Sequence, residues 1–324
     1  MSNLKLSVVI PTHNRPQTLR NTLVALGRQS LPADRFEVLV VDDGSEENHR
    51  VALRTFRESF DFTLIEQEQG GLASARNRGA EQATGEILHF LDDDVMPARE
   101  TLEQHLVSHA AETEPVAVLG SLPFPRHVKR NAFLWYIERS GHYDLYKHPR
   151  KYPGGKPPMP PMNGNSSISR ELFLKIGKYD ESFRQYGSED LELGYRLARS
   201  GVRFVYNPRA IGYHDHIKDF PRFCLDMETA GDSLIRVYRK YPEIKASKKI
   251  DLVEDGIRDL PGKKKLIKII MATTLCCPWI LGFPRWILRW AEPFHALRHL
   301  LFPLYRWVAH YHYALGMRRA LDRR

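Results

Sequence analysis

Two apolar patterns alternate along the first 120 residues. The runs LKLSVVIP (4–11), FEVLVVDD (36–43) and EILHFLDD (86–93) offer almost no polar face, as expected of strands buried on both sides of a sheet. FTLIEQ (62–67) and VAVLGSL (116–122) predict two more strands. Between them, Leu19, Leu23 and Leu26 recur at helical spacing behind Pro16, a residue suited to a first helical turn. GLASARNRGAEQAT (71–84), closed by Gly85, and residues 98–111 predict two further helices. Strands alternating with helices imply an α/β fold with a mainly parallel central sheet, whose ligands sit beyond the carboxyl ends of the strands. Polar residues converge there: Thr12, His13 and Asn14, then Asp42 and Asp43, then Asp92, Asp93 and Asp94.

The pattern lapses over 123–165, where KHPRKYPGGKPPMPPMNGNSS predicts a long loop without regular structure, of the kind that forms lids and binding loops. Helix resumes over SRELFLKIGKYDESF (169–183) and SEDLELGYRLARSG (188–201), the latter with Ser188 as N-cap and Gly201 as its close. VRFVYNPRAIGYHDH (202–216) predicts one or two strands, and 219–241 a helix. These boundaries predict a catalytic domain over 1–240 and a separate helical region over 241–324.

The charge separates the same two parts. The net charge is +9 over 324 residues, yet residues 258–324 alone carry 13 Lys or Arg against three acids. The body is therefore close to neutral, and its chemistry does not point to nucleic acid. The tail also holds Trp279, Trp286, Trp290 and Trp307, four of the chain's five tryptophans. Its apolar run 269–283 is interrupted by Pro278 and falls short of the roughly 20 residues of a spanning helix. Leu297, Leu300, Leu301, Leu304, Val308 and Tyr311 follow helical spacing around a kink expected at Pro303. Apolar faces with Trp, flanked by Lys and Arg, predict interfacial helices on an anionic membrane through residues 258–324; packing on protein is the alternative. Cys224, Cys276 and Cys277 show no CxxC spacing, and the N-terminus lacks a signal peptide's apolar core. Both favour a cytoplasmic protein attached to the inner face of the cell membrane.

Clustered carboxylates at a strand's end suit a hard divalent cation. Alternation along an extended segment places Asp92 and Asp94 on one side and turns Asp93 away. An acidic turn complementing a helix dipole is the plainer explanation. The ordered set VVIPTHNR, VVDDGS, GLASARNRG, HFLDDD, NGNSSISR and YGSEDLELGYR decides between them: together the motifs closely resemble the family 2 glycosyltransferases, over about residues 5–235. The resemblance implies the GT-A fold, here with a C-terminal helical appendage that associates with a membrane. It implies transfer of a sugar, with inversion, from a nucleotide-diphosphate donor (a UDP-sugar favoured) to a glycan or lipid-linked acceptor, with Mg²⁺ or Mn²⁺.

Carried over residue by residue, the resemblance places Pro11, Thr12, His13 and Arg15 around the nucleoside. Asp43 hydrogen-bonds the base, Arg76 lies against the nucleotide, and Asp92 reaches the ribose with Asp93 beside it. Asp94 and His214 hold the metal, while Gly164 and Asn165 approach the donor sugar or acceptor. Asp190 is the general base and Glu189 stands near the acceptor. The Q-x-x-R-W signature of processive synthases is missing after Asp190, which favours transfer of single sugars. A nucleotidyltransferase making sugar nucleotides is a rival, but PTHNRP lacks the Gly-rich phosphate loop it would need. A catalytically silent, membrane-associated sugar-nucleotide-binding protein is another, though it would have no need of both Glu189 and Asp190.

Overall fold

The computed structural model describes residues 5–47, 60–141, 160–184, 187–215 and 217–323. The chain divides into two compact units: residues 1–128, 141–184 and 189–217, and residues 129–140, 185–188 and 218–324.

The first unit is built on one eight-stranded sheet. Its strands are β1 (Leu6–Thr12), β2 (Phe36–Asp43), β3 (Asp61–Gln67), β4 (Ile87–Leu91), β5 (Val95–Pro97), β6 (Val116–Ser121), β7 (Asn165–Ser169) and β8 (Arg203–His214), in the order β3-β2-β1-β4-β7-β6-β8-β5. β1 to β4 are mutually parallel, and so are β6 and β8. β7 lies antiparallel between β4 and β6, and β5 pairs antiparallel with β8 at the edge.

Alternation divides the strands between two cores. Val8, Ile10, Val38 and Val40 face α1 (Pro16–Leu26) and α3 (Thr101–Ala110) through Leu19, Leu23, Leu102 and Leu106. Val9, Leu39, Val41 and Phe90 face the opposite layer, α2 (Leu72–Gln82), α5 (Arg170–Lys175) and α6 (Glu189–Arg199), through Ala73, Ala80, Phe173 and Leu193. A sheet covered on both faces explains the continuous apolar runs of β1, β2 and β4.

Several expectations change. Residues 123–165 are not wholly irregular, since they contain α4 (Ala132–Ser140) and open into β7. The helix expected over 169–183 stops after one and a half turns, where Gly177 and Lys178 adopt positive φ. Ser188, expected as an N-cap, has φ 74° rather than the extended backbone of a capping serine.

The second unit is helical: α4, α7 (Phe220–Lys240), α8 (Gly262–Cys276), α9 (Gly282–Ala291) and α10 (Arg298–Asp322) are its longer elements. α7 belongs with the C-terminal helices, so a boundary at 240 would cut through this unit. α10 is continuous across Pro303. Its residues Leu301, Tyr305, Val308 and Tyr311 are buried, with Tyr305 ringed by Phe133, Tyr136 and Phe220. Of the face expected over 297–311, Leu301, Val308 and Tyr311 are thus packed on protein, Leu304 is half-buried, and Leu297 and Leu300 are exposed.

Candidate active site

The carboxylates after β4 do not share one direction. The strand ends at Leu91, and Asp92–Asp94 form a turn closed by the Val95 amide donating to the Asp92 carbonyl at 3.1 Å. Strand alternation therefore no longer applies to them. Asp93 and Asp94 face Arg15, whose Nη1 donates to both at 3.1 and 2.9 Å. Asp93 also accepts from the Thr12 hydroxyl at 2.8 Å, and its backbone carbonyl from the Thr22 hydroxyl at 2.9 Å. Asp93 thus points inward rather than away. Burial, together with the neighbouring Asp94 charge, raises its pKa to about 7 against the pull of Arg15. Asp92 turns to the other side and meets Arg76.

At the ends of β1 and β2, His13 Nδ1 lies 2.9 Å from the Asp43 carbonyl, and Asp42 caps its own turn by accepting from the Ser45 amide. The Asp43 carboxylate accepts from Gln67 Nε2 and from the Gly70 and Gly71 amides at 2.7–2.9 Å. Asp43 therefore holds the loop that enters α2, and a carboxylate's roughly four lone-pair sites leave it one more for a ligand. Pro11 and Thr12 are buried within β1, with His13 and Arg15 half-exposed beyond its end.

Arg76 is the unexpected centre. Fully enclosed on α2, it donates to Asp92 Oδ1 at 2.7 Å and to Glu189 Oε1 at 3.3 Å, with the Tyr179 ring 5.3 Å from its guanidinium carbon. One cation thus joins the acids after β4 to those opening α6. Glu189 is buried, and its Oε2 has no protein partner among the described residues. Burial and the adjacent Asp190 raise its pKa to about 7, with Arg76 opposing. Asp190 is half-buried: its Oδ1 accepts from the Leu191 amide at 2.7 Å, and its carbonyl accepts from the Met162 amide. Of the two acids, Asp190 is the more exposed.

Gly164 and Asn165 part company. The Gly164 carbonyl accepts from the Asp92 amide at 3.1 Å, at the edge of the site. Asn165, expected beside the sugar, is buried in β7 instead. Its amide donates to the Ser121 and Ala210 carbonyls at 3.1 and 2.9 Å, and its oxygen lies 3.0 Å from Nε2 of both His89 and His105. His105 Nδ1 and His109 Nε2 meet the Ser167 hydroxyl at 2.8 and 2.9 Å. Asn165 is the hub of a buried polar network and stabilises the sheet.

Comparison with known proteins fits this geometry. The profile of Glycosyl transferase family 2 matches residues 7–177, and that of Glycosyltransferase like family 2 matches residues 159–250. The chain belongs to glycosyl transferase family 2. Validoxylamine A glucosyltransferase of Streptomyces hygroscopicus subsp. jinggangensis (strain 5008) is 31% identical over 240 residues, covering 64% of this chain and 54% of that one. Chondroitin synthase of Pasteurella multocida (strain Pm70) is 28% identical, covering 65% and 25%. The chain thus spans about half the length, or less, of these two curated relatives. Among solved structures, the mannosyltransferase PcManGT from Pyrobaculum calidifontis, in complex with GDP-Man and Mn²⁺, superposes with a TM-score of 0.65 at 21% identity, over 100% of this chain and 89% of that one. The fold is the GT-A-like mixed α/β fold of such enzymes, with the C-terminal helices added.

Within this family 2 chain, Asp94 and His214 are the pair to test as cation ligands. Asp94 Oδ1 and His214 Nε2 are 3.8 Å apart, a span that two ligands each about 2.1 Å from one ion can share. No group of three His, Cys, Asp or Glu converges among the described residues. That pair would leave the rest of an ion's coordination to substrate phosphates and water, and an imidazole beside a carboxylate suits a transition ion such as Mn²⁺ at least as well as oxygen-seeking Mg²⁺.

Sequence reasoning placed Arg76 in the site but missed its bridging role. It also missed Asn77, which accepts from the Tyr179 amide and donates to the Tyr179 carbonyl, both at 2.9 Å, and so holds that ring under Arg76. No spacing rule signals a contact spanning a hundred residues.

Proposed function

We propose that the chain is an inverting, metal-dependent glycosyltransferase that moves one sugar at a time from a nucleotide-diphosphate donor to a hydroxyl acceptor. The observation that carries this reading is the pair of acidic poles joined by buried Arg76. The pole after β4 suits the donor, with Asp92 for a ribose hydroxyl and Asp94 with His214 for the cation. A divalent ion held there would stabilise the charge developing on the leaving diphosphate. At the other pole, Asp190 takes the proton of the acceptor hydroxyl as its oxygen bonds to the anomeric carbon and the carbon–diphosphate bond breaks. Glu189, raised toward neutrality, modulates the charge next to that base.

The PcManGT complex with GDP-Man and Mn²⁺ supports a nucleotide sugar and a divalent ion as ligands of this fold. A UDP-sugar donor and a glycan or lipid-linked acceptor in cell-surface glycan synthesis are the reading favoured here. Transfer of single sugars rests on the missing Q-x-x-R-W. Attachment to the inner face of the cell membrane rests on the basic, aromatic tail.

The test is a screen of nucleotide sugars for Mn²⁺- or Mg²⁺-dependent binding and slow hydrolysis, followed by Asp190→Asn. Transfer should disappear while nucleotide affinity stays within about twofold, ~0.4 kcal/mol. Undiminished turnover in Asp190→Asn would remove the base assignment.

A further inference from the structure

The tail contains a surface that the folded second unit leaves uncovered. Trp279, Phe283, Trp286 and Trp290 follow one another at intervals of four, three and four residues, which places them on one face of the α9 helix and the turn before it. With Phe294 they are 59% to 79% exposed, and the Phe283 and Trp286 rings stack at 6.2 Å. The opposite face, Leu281, Pro284 and Leu288, is buried. α9 is therefore inverted for a helix in water, with aliphatic residues turned to protein and aromatics turned out.

Aromatic side chains each offer about 150–250 Å² of surface. At these exposures the five present about 500–800 Å² in total, at or beyond the upper end of the ~300–600 Å² of the largest apolar patch on a typical soluble protein. α8 continues the trend: Leu266, Ile267, Ile269 and Ile270 are 46% to 63% exposed.

Charge and shape narrow the occupant. Lys265 and Arg289 stand exposed on the same two helices, Arg285 reaches back to His312 and Tyr311, and the tail carries the chain's excess positive charge. Among the described residues, no single helix is long and apolar enough to cross a membrane. Lys264–Cys276 and Pro278–Ala291 reach the necessary length and composition only as a pair, and that pair is bent by 99°. A sharp elbow of two short apolar helices cannot span as one rod, but it can enter and leave a single leaflet. Trp on the apolar side with Arg and Lys beside it is the composition of the lipid headgroup boundary.

We propose that the α8–α9 elbow is a monotopic anchor, seated in one leaflet of an anionic membrane through Trp279, Phe283, Trp286 and Trp290, with Lys265 and Arg289 at the headgroups. This rests on the membrane-attached reading above and narrows it from the whole of 258–324 to one elbow. α10 contributes less, since from Leu301 to Tyr311 most of its apolar face is packed on protein and only Leu300 at its start is largely exposed.

The experiment uses the full chain with vesicles of phosphatidylcholine containing 30% phosphatidylglycerol. Wild type should co-sediment, its tryptophan emission should shift to the blue, and lipids brominated near the headgroup should quench it more than lipids brominated near the chain end. Trp279→Ser/Trp286→Ser/Trp290→Ser should lower partitioning at least tenfold while keeping wild-type circular dichroism and nucleotide binding. Lys265→Glu/Arg289→Glu should reduce binding to anionic vesicles and leave weak binding to pure phosphatidylcholine unchanged.

If wild type ignores the vesicles, membrane attachment and elbow fail together, while the glycosyltransferase reading stands on the nucleotide-sugar screen. If wild type binds and the triple variant binds equally well, the elbow alone is wrong. Strongest quenching at the bilayer centre would replace the monotopic anchor with a spanning one. A dimer in sedimentation velocity that the triple variant dissolves, without vesicle binding, would assign the surface to a second copy of the chain.

Discussion

A β-carbon added to Gly164 would lie 2.0 Å from Asp92 Oδ2, closer than non-bonded atoms can approach. The backbone of this glycine is thus pressed against the carboxylate that Arg76 holds from the other side. Gly164→Ala should push Asp92 away from Arg76 and weaken nucleotide binding by about tenfold, ~1.4 kcal/mol. Isothermal titration of the nucleotide, with near-ultraviolet circular dichroism to confirm the fold, checks this.

Arg76→Met removes the cation that Asp92 and Glu189 share. Breaking a buried ion pair from one side costs about 3–5 kcal/mol, because the remaining charge stays buried. Urea unfolding at pH 7 should show a loss of that order. Adding Glu189→Gln should recover part of it, since the stranded acid is then neutral.

Glu189 makes stability depend on pH in a definite direction. Its folded pKa of about 7 is above the ordinary 4.5, so the fold favours the protonated form. That contribution is complete below pH 4.5 and is lost as the pH rises through the folded value. Glu189→Gln should flatten the decline in stability between pH 4.5 and 8, measured by urea titrations across the window.

The histidine network has the opposite sign. Burial holds His89 and His109 at about 4 and His105 well below its ordinary value, so all three are neutral in the fold. An unfolded chain takes up protons below pH 6.5 that the folded one refuses, so this contribution is lost as the pH falls from 6.5 toward 4. Asn165→Ala takes one buried partner from each of the Ser121 and Ala210 carbonyls and from both imidazoles, and should cost about 3 kcal/mol. Thermal unfolding at pH 7 measures that loss. Nucleotide affinity should change far less than in Gly164→Ala.

Asp94→Ala should abolish the dependence of nucleotide binding on Mn²⁺, with His214→Ala weakening it in part. Titrations with and without the ion separate the two. Full metal dependence in Asp94→Ala would remove this residue from the cation site.

The sheet was legible where a strand is apolar on both faces, as in β1, β2 and β4, because burial leaves no choice of residue. β7 was hidden for the converse reason. Asn165, Ser166 and Ser167 are completely buried yet polar, and the histidines that meet Asn165 and Ser167, namely His89, His105 and His109, lie 58 to 76 residues away. α4 was obscured by Pro- and Gly-rich neighbours that dominate the composition around it. The candidate site was legible as a list of acids, since each motif announces its carboxylates. Their grouping was not. Alternation paired Asp92 with Asp94, but the chain leaves the strand at Leu91, and the turn instead pairs Asp93 with Asp94 on Arg15.

The reversed strand between β4 and β6 bears on how the chain is made. β1 to β4 are complete once residue 91 has been synthesised, and they form a contiguous parallel block. The free edge of β4 must then wait for β7, about 75 residues later, or roughly 4–15 s at ordinary synthesis rates. An unpaired strand edge is an invitation to other chains. The chain's exposure to aggregation during biosynthesis is therefore concentrated in that interval, and substitutions that delay β7 should lower soluble yield before they lower the stability of the finished fold.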